Sequence, residues 1–311
     1  MNSGASSLKV GKRFVAAEDA SELVIAGFAE LVSRMCPFDR WCAFTQAVGY
    51  GTTVGRRQWS AGETRRLQEI LGPYAAEFPE PAQLLRRSLS AYVEEMALHS
   101  RLAQRSSWRP RLEIEGAGQL EDAIARGGVV LWILPQRFAT LLTRLAAYDA
   151  GWPLCHLSHW AHGPSTTAFG QAFLTKRQRR IEDRLSDRVT IGPEGAVAAL
   201  RELSRRLHGG SLVSFRGIAT GSQPKRYPWL GGYLDLALGA PAMAIRHEAP
   251  LFLVSVGRIP GGFRIAFSPL RDAAELGAEE CGARFSEAYE RVVRAEPDLW
   301  PVTYSQIGTE P

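Results

Sequence analysis

The stretch VVLWIL at residues 129–134 is a continuous apolar run, which is typical of a β-strand buried on both faces. Working outward from it, shorter strand-like runs alternate with segments that have apolar residues at helical spacing. We predict these further strands at Leu112–Glu115, Leu154–Trp160, Val189–Ile191, Ser211–Phe215, Leu251–Val256 and Phe263–Phe267. Pro260-Gly-Gly262 between the last two predicts a hairpin turn. The pattern predicts an α/β fold with a mostly parallel sheet flanked by helices, to which an antiparallel hairpin is added.

The segments between these strands predict helices at Leu120–Ala125, Phe138–Asp149, Thr175–Ser186, Ala196–Leu207 and Cys281–Arg294. In the helix that begins at Ala196, the spacing places Val197, Leu200, Leu203 and Leu207 on the inward side. Each of these helices connects two strands or closes the chain, as expected for a parallel sheet that is covered on both faces.

The first 110 residues are predicted to be helical. Behind Asp19 and Ser21 as candidate caps, one apolar stripe contains Leu23, Val24, Phe28, Leu31 and Val32. Ser60 followed by Glu63 resembles a capping box, and Pro81–Gln104 is a third amphipathic segment. Pro110 disfavours helical geometry at the preceding residue, so residues 105–110 are predicted to be a linker. We expect a helical N-terminal region over 1–110 that packs on the core, and an α/β domain over 111–311.

Composition narrows the class of protein. Of the 311 residues, 45% are hydrophobic and 22% are charged, which excludes a disordered or fibrous chain. The net charge of +5 permits a phosphate-bearing partner but is too small for a protein that coats DNA. The four cysteines form no CxxC pair, and no apolar run reaches the ~20 residues that a spanning helix needs. We therefore expect a cytoplasmic protein with no signal peptide and no integral membrane anchoring.

Six segments then follow a family-like order along the chain: SLSAYVEEMALHSRL at 88–102, LEIEGAGQLEDAIARGG at 112–128, VVLWIL, AVAALRELSRRLHGGSLVSF at 196–215, YLDLALGAPAMAIRHEAPLFLVSVGRIPGGFRIAFSPL at 233–270, and EPDLWPVTYSQI at 296–307. In segment order and small-residue spacing they resemble the bacterial lipid A biosynthesis acyltransferase family, within the lysophospholipid acyltransferase superfamily. The resemblance implies an αβα acyltransferase-like core, and acyl carrier protein or coenzyme A as the acyl donor.

The chain departs from that family at its catalytic motif. The family uses a histidine, followed five positions later by an acid, directly after the first core strand; the histidine is the general base and the carboxylate orients it. Here Pro135 occupies the histidine position and Thr140 the acid position, and neither side chain can do this work. Three alternatives stay open: another residue supplies the base, the acceptor needs none, or the chain is a non-catalytic homologue. The absence of the family's N-terminal anchor favours a soluble acceptor.

Histidines cluster in CHLSHWAHG at residues 155–163, which should lie at the carboxyl end of the sheet, where open α/β sheets bind ligands. An extended strand places His156 and His159 on opposite sides. The histidines could serve a zinc site with a further ligand, contact substrate, or be ordinary core or surface residues. We name His156, His159, Arg137 and Thr140 as candidate catalytic residues and expect no metal and no cofactor.

Basic residues suggest where an anionic donor would bind. Arg137 and Arg216 follow two core strands, and arginine holds phosphate or carboxylate by paired hydrogen bonds. Lys176, Arg180 and Arg184 lie four residues apart on one helical face, where like charges repel unless an anion or nearby acids compensate. That anion could belong to a phosphopantetheine carrier, coenzyme A or an RNA backbone; a solvated helix with internal salt bridges is the alternative.

Lys225 and Arg226, together with Tyr227 and Trp229, follow Arg216 in a stretch rich in Gly, Ser and Pro. We predict a loop that covers the site, with aromatic and basic side chains compatible with nucleotide stacking.

These features predict an acyltransferase-like enzyme. It would move a fatty acyl or aminoacyl group from acyl carrier protein, coenzyme A or aminoacyl-tRNA to a hydroxyl, amine or hydroxylamine of a small biosynthetic acceptor. The alternative is a catalytically inactive homologue that binds an acyl chain, a carrier protein or a partner enzyme.

Overall fold

The computed structural model describes residues 17–105, 107–159, 167–192, 195–217, 224–303 and 307–308. The N-terminal region is helical, as predicted, and consists of α1 (Ala17–Met35), α2 (Trp41–Gly55), α3 (Arg57–Leu71) and α4 (Pro81–Gln104). Short 3-10 helices at Phe38–Arg40 and Gly72–Glu77 connect α1 to α2 and α3 to α4. Within the described residues, no helix combines the length and the apolar character that crossing a membrane would require.

The rest of the chain alternates strands and helices. Its elements are β1 (Arg111–Glu115), α5 (Ala117–Arg126), β2 (Val129–Ile133), α6 (Ala139–Ala150), β3 (Leu154–His159), α7 (Ala168–Gly170), a π-helical turn (Gln171–Thr175), α8 (Lys176–Leu185), β4 (Asp187–Ile191), α9 (Val197–His208), β5 (Leu212–Arg216), β6 (Lys225–Trp229), β7 (Gly232–Leu236), α10 (Gly239–Arg246), β8 (Leu251–Ile259), β9 (Gly262–Pro269), α11 (Ala273–Ala295) and β10 (Ile307–Gly308). α11 is kinked at Gly277, whose φ is 77°. The predicted α/β class is confirmed.

The main sheet has the strand order β1-β9-β8-β2-β5-β3-β4. β8, β2, β5, β3 and β4 are parallel to one another, and β8 and β9 form the predicted antiparallel hairpin. β2 lies in the middle, and all five of its residues are buried, as the VVLWI run predicts. Because five neighbouring strands run in one direction, their carboxyl ends form one continuous edge of the sheet.

Two apolar clusters cover the two faces of this sheet. On one face Trp132 packs against Phe285 of α11, with ring centroids 4.2 Å apart, alongside residues of α3, α9 and α10. On the other face Leu131 and Ile133 belong to a cluster with α1, α6 and the C-terminal half of α4. α4 contributes side chains to both clusters, so it ties the N-terminal helices to the sheet.

A second, three-stranded antiparallel sheet with the order β10-β7-β6 was not predicted. The loop predicted at Lys225–Trp229 is wrong, because these residues form β6. Tyr227 and Trp229 point inward and are buried, so they are not open to nucleotide stacking. The Tyr227 hydroxyl donates to the Glu279 carbonyl at 3.0 Å, and Ser286 donates to the Pro228 carbonyl at 3.0 Å. Contacts with α11 thus stabilise β6, in which Pro228 lacks a backbone N–H. Because β6 is an edge strand of its sheet, the missing donor is tolerated there.

Three local predictions are wrong. In α1 the side chains of Leu23, Val24 and Leu31 are exposed, although Val32 of the same predicted stripe is buried. The opposite side packs against α4, where Gln104 donates to Glu30 and Ser33 at 2.6 and 3.0 Å and the small Ala29 permits close approach.

The other two errors concern helix ends. Ser60 does not begin a helix, because α3 starts three residues earlier at Arg57 and the Ser60 hydroxyl bonds to the carbonyl of that residue at 3.4 Å. Val197 is the first residue of α9 and is exposed, whereas Leu203 and Leu207 face inward as predicted. The first turn of α9 therefore extends beyond the part of the helix that the sheet covers.

Candidate active site at the carboxyl edge of the sheet

The segment after β2 contains Pro135 and Thr140, and internal contacts hold it firmly. The Pro135 carbonyl accepts a hydrogen bond from the Tyr289 hydroxyl at 2.9 Å. The Gln136 side-chain amide bonds to both backbone groups of Val256, each at 2.9 Å. Thr140 lies in the first turn of α6 and is half-buried. The loop is therefore a rigid platform, and neither Pro135 nor Thr140 carries an ionisable side chain.

Arg137 projects from this platform towards α4. Its guanidinium carbon lies 4.8 Å from the centre of the Tyr92 ring, and its Nη1 is 3.7 Å from Glu95 Oε2. The same carboxylate accepts a 2.9 Å hydrogen bond from the backbone N–H of Phe138, which has a φ of 66°. A non-glycine residue in this conformation is strained. Glu95 of α4 therefore forms an ion pair with Arg137 and also stabilises the strained backbone at Phe138.

A carboxylic acid from α1 reaches the same place. The Tyr92 hydroxyl donates a 2.6 Å hydrogen bond to Glu22 Oε2. Burial raises the pKa of Glu22, and the hydrogen bond from Tyr92 and the charges of Arg56 and Arg137 only partly oppose this effect. Burial and the neighbouring Glu22 charge raise the pKa of Tyr92 well above its ordinary value, so this phenol stays protonated and acts as the donor. A half-buried carboxyl group with a raised pKa is suited to general acid–base work.

Beside this group, Asp19 links α1 to the segment that follows β3. The Thr167 hydroxyl donates to Asp19 Oδ2 at 2.7 Å and accepts from the Gly170 N–H at 3.0 Å, which caps α7. Asp19 is buried, and it lies one helical turn before Glu22. The first turns of α1 therefore supply two acids to the carboxyl edge of the sheet.

The two predicted histidines lie on opposite faces of β3, as the alternation requires. His156 is buried, and its Nδ1 lies 2.8 Å from the Ser214 hydroxyl on β5. Ser214 pairs with Leu131, one pleat before the strand ends, so this pair sits below the edge on the Ile133 face. His159 is the last residue of β3 and is half-buried on the other face. We call Asp19, Glu22 and Glu95 the acid cluster. His156 lies on the face of the sheet that α1 and α4 cover and that the acid cluster borders, whereas His159 lies on the opposite face.

The predicted basic residues are divided among several places. Arg216 ends β5 in register with Ile133 and therefore reaches the carboxyl edge. On α8, Lys176 and Arg180 are exposed on the predicted common face, while Arg184 donates to the Leu102 carbonyl at 2.8 Å. Lys225 pairs with Glu279 at 3.0 Å and Arg226 with Asp235 at 3.0 Å, both in the second sheet. The structure thus brings Arg137 and Arg216 to the edge and leaves Lys225 and Arg226 in ion pairs elsewhere.

Part of the edge lies outside the described residues. The segments after β3, β4 and β5 include residues 160–166, 193–194 and 218–223, which are among the residues not described. His162 and most of the predicted covering loop fall there. Among the described residues, no group of three or more His, Cys, Asp or Glu side chains could hold a metal ion.

Two clefts lie at the opposite, amino edge of the sheet. One of about 560 Å³ is formed by α5, α10 and the start of α11, and one of about 320 Å³ lies beside Cys155 and Arg206. Burial raises the pKa of the Cys155 thiol, so this cysteine is poorly suited to act as a nucleophile. Because parallel α/β sheets place their ligands at the carboxyl ends of the strands, we assign the candidate chemistry to that edge.

Sequence reasoning missed Glu22, Tyr92 and Glu95. All three come from the N-terminal helices, which the prediction treated as packing elements, and their contacts with the edge cross long distances in the chain. The one available signal was the pair of acids in AYVEEM at 91–96, which falls within the segment that resembles the acyltransferase family.

Comparison with known proteins assigns no family to the chain. No protein-family model matches it, and no curated protein matches it. The resemblance to lipid A acyltransferases stays a prediction from the sequence, and the chemistry of the site is argued from its own geometry.

Proposed function

We propose that the chain is an acyltransferase-like enzyme that uses Glu22 in place of the missing histidine base. It would move a fatty acyl or aminoacyl group from an activated carrier to a hydroxyl or amine of a small acceptor. The observation that carries the proposal is the 2.6 Å hydrogen bond between Tyr92 and Glu22 beside Arg137. A base held by an orienting partner, next to a cation that can stabilise negative charge, is one arrangement that can catalyse acyl transfer.

In the proposed reaction, the Glu22 carboxylate accepts the proton of the acceptor while the acceptor oxygen or nitrogen attacks the acyl carbon. The new C–O or C–N bond forms, and the negative charge on the carbonyl oxygen is stabilised by Arg137. The bond between the acyl carbon and the carrier sulfur or oxygen then breaks, and Glu22 returns the proton to the leaving group. An amine or hydroxylamine suits a carboxylate base, because it is nucleophilic without full deprotonation.

The proposed binding of the acyl donor is supported by the positive charges near the carboxyl edge of the sheet. Arg216 reaches the same edge as Arg137, and Lys176 and Arg180 are exposed on α8. The N-terminal end of α7 is joined to α1 through Thr167 and Asp19, and α7 leads through the π-helical turn directly into α8, which carries these cations. A donor with phosphates would bind along this surface, with its acyl ester or thioester at the edge.

A second function, binding without catalysis, is favoured by one observation. Hydrogen bonds from Tyr289 and Gln136 fix the segment at the former dyad position. A protein that retained the fold to hold an acyl chain or a carrier protein would keep such a platform and would not need Glu22.

The test is acyl transfer by the full chain from acyl carrier protein thioester, acyl-coenzyme A or aminoacyl-tRNA, with hydroxylamine as acceptor and mass spectrometry as readout. Glu22→Gln should lower kcat by about 10²- to 10⁴-fold, the usual contribution of general base catalysis. The glutamine keeps an oxygen for the Tyr92 hydroxyl, so the melting temperature should stay close to that of the parent. The matched control is Glu69→Gln, a glutamate exposed on α3.

Failure to transfer from any donor would contradict the enzyme proposal, and retained binding of one donor would then support the second function. Equal turnover by the parent and Glu22→Gln would show that Glu22 is not the base. In that case His156→Ala becomes the decisive variant, because His156 lies on the same face of the sheet.

A further inference from the structure

α1 and α2 present an apolar outer surface. Among the described residues, ten large apolar side chains are at least 42% exposed, and seven of them lie on these two helices. We call this set the α1–α2 face; it consists of Leu23, Val24, Leu31, Met35, Phe44, Tyr50 and Val54. Single exposed apolar side chains are ordinary, but a group of this size marks a surface that binds something.

The two helices lie side by side, so the face is continuous. A short 3-10 turn joins them at one end, and at the other end Arg56 donates to the Ser21 hydroxyl at 2.8 Å. Both helices pack their inner sides against α4. α2 has no charged residue between Trp41 and Gly55, a length of about 22 Å at 1.5 Å per residue.

Cations border the α1–α2 face. The arginines that flank α2 or end α1 are Arg34, Arg40, Arg56 and Arg57, all of them exposed. Among the side chains that the structure describes on these two helices and the turn between them, the acids on this side are Asp39 and Glu30, and Glu30 is paired with Arg34 at 2.7 Å. Asp19 and Glu22 point away from the face, to Thr167 and Tyr92.

We propose that the α1–α2 face docks on an anionic lipid surface, with both helices in the plane of the interface. Helices that lie in a membrane interface typically insert apolar side chains into the headgroup region and carry basic residues beside them, which attract anionic lipid. A second copy of the chain fits less well, because a two-fold contact between identical faces would bring arginine borders against each other. The docking itself does not depend on the proposed acyl transfer.

Docking would have a consequence for the site. Glu22 and Val24 are neighbours on α1 that point in opposite directions, one into the acid cluster and one to the α1–α2 face. The cluster would therefore lie one helix thickness from the lipid, where a donor or acceptor with a long acyl chain is available. This step alone rests on the proposed function.

The test is flotation of the full chain with vesicles of phosphatidylcholine and with vesicles that contain about one third phosphatidylglycerol. The parent should float with the anionic vesicles, less so as salt is raised. Val24→Glu combined with Leu31→Glu should lower the partition coefficient by about tenfold or more, because two apolar contacts are replaced by charges that anionic lipid repels. The matched control is Val197→Glu on α9, whose parent residue is 64% exposed against 71% for Val24.

Three outcomes of the flotation experiment would overturn the proposal. The parent does not float with anionic vesicles, the double variant floats as well as the parent, or Val197→Glu loses binding to the same extent. If light scattering shows a dimer that the double variant dissociates, a second copy covers the face and the lipid proposal is wrong. None of these outcomes bears on acyl transfer from water-soluble donors, so the two proposals fail separately.

Discussion

The ion pair between Glu94 and Arg258 should be a main support of the candidate site, and its contribution can be measured. Hydrogen bonds of 2.9 and 2.6 Å join the guanidinium to the two carboxylate oxygens, and they tie α4 to β8. The Arg258 guanidinium carbon also lies 5.4 Å from the centre of the Phe138 ring, the strained residue that follows Arg137. Loss of the pair should therefore loosen the segment on which Arg137 stands.

The burial of the two partners sets the magnitude. The Glu94 side chain is 5% exposed and that of Arg258 is 28% exposed. Removal of one partner from a fully buried pair costs about 3–5 kcal/mol, and exposed pairs contribute about 0–1 kcal/mol. Arg258→Met leaves a buried carboxylate and should lower the free energy of unfolding by about 3 kcal/mol. Glu94→Gln leaves an arginine that water can reach, so about 2 kcal/mol is expected.

The assay is urea unfolding of the parent, both single variants and the double variant. Because the double variant leaves no unpaired buried charge, it should lose no more than the Arg258→Met variant, which gives a coupling energy of about 2 kcal/mol. Glu280→Gln is the matched control, since its pair with Arg284 is about half exposed, and it should cost less than about 0.5 kcal/mol. If the losses of unfolding free energy in the two single variants simply add in the double variant, the two residues are not coupled and the reasoning is refuted.

Two further predictions concern stability. Burial, together with the charges of His208 and Arg246, lowers the pKa of His247, so the folded state disfavours the protonated ring. The free energy of unfolding should therefore fall as pH drops through the ordinary histidine range near 6.5, and His247→Gln should reduce that fall in urea midpoints measured at about pH 7.5 and pH 5. Gly116 has a φ of 77°, and a Cβ there would lie 2.1 Å from the Phe267 carbonyl oxygen, so Gly116→Ala should cost more than about 2 kcal/mol in urea unfolding. Gly118→Ala, in the open first turn of α5, should be neutral or stabilising by up to about 1 kcal/mol.

The central strands could be predicted because burial on both faces leaves a strong local signal. VVLWIL predicted β2 to within one residue, and the alternation around it predicted the seven strands of the main sheet in their chain order, together with α5, α6, α8, α9 and α11. β6 gave no such signal, since Pro228 and the adjacent glycines are typical of a loop. β6 is a strand because it pairs with β7, and contacts with α11, more than 50 residues away in the chain, hold this pair of strands in place. Tertiary contacts of this kind leave no trace in local periodicity.

Sequence analysis predicted that Arg137 and Arg216 lie at the carboxyl edge of the sheet, but it did not predict that Glu22 lies beside Arg137, and the reason lies in one helix. Both arginines come at or just after the end of an apolar strand, β2 or β5, and the local sequence is enough to predict such a position. Glu22 and Val24 are two residues apart, which on a helix is about 200°. If the predicted stripe that includes Val24 faced the protein, Glu22 on the other side of the helix would face solvent. In the structure the opposite holds: Val24 is exposed, and Glu22 accepts a hydrogen bond from Tyr92 of α4. Both differences have one cause, because the rotation of α1 that turns Val24 outward also brings Glu22 to Tyr92.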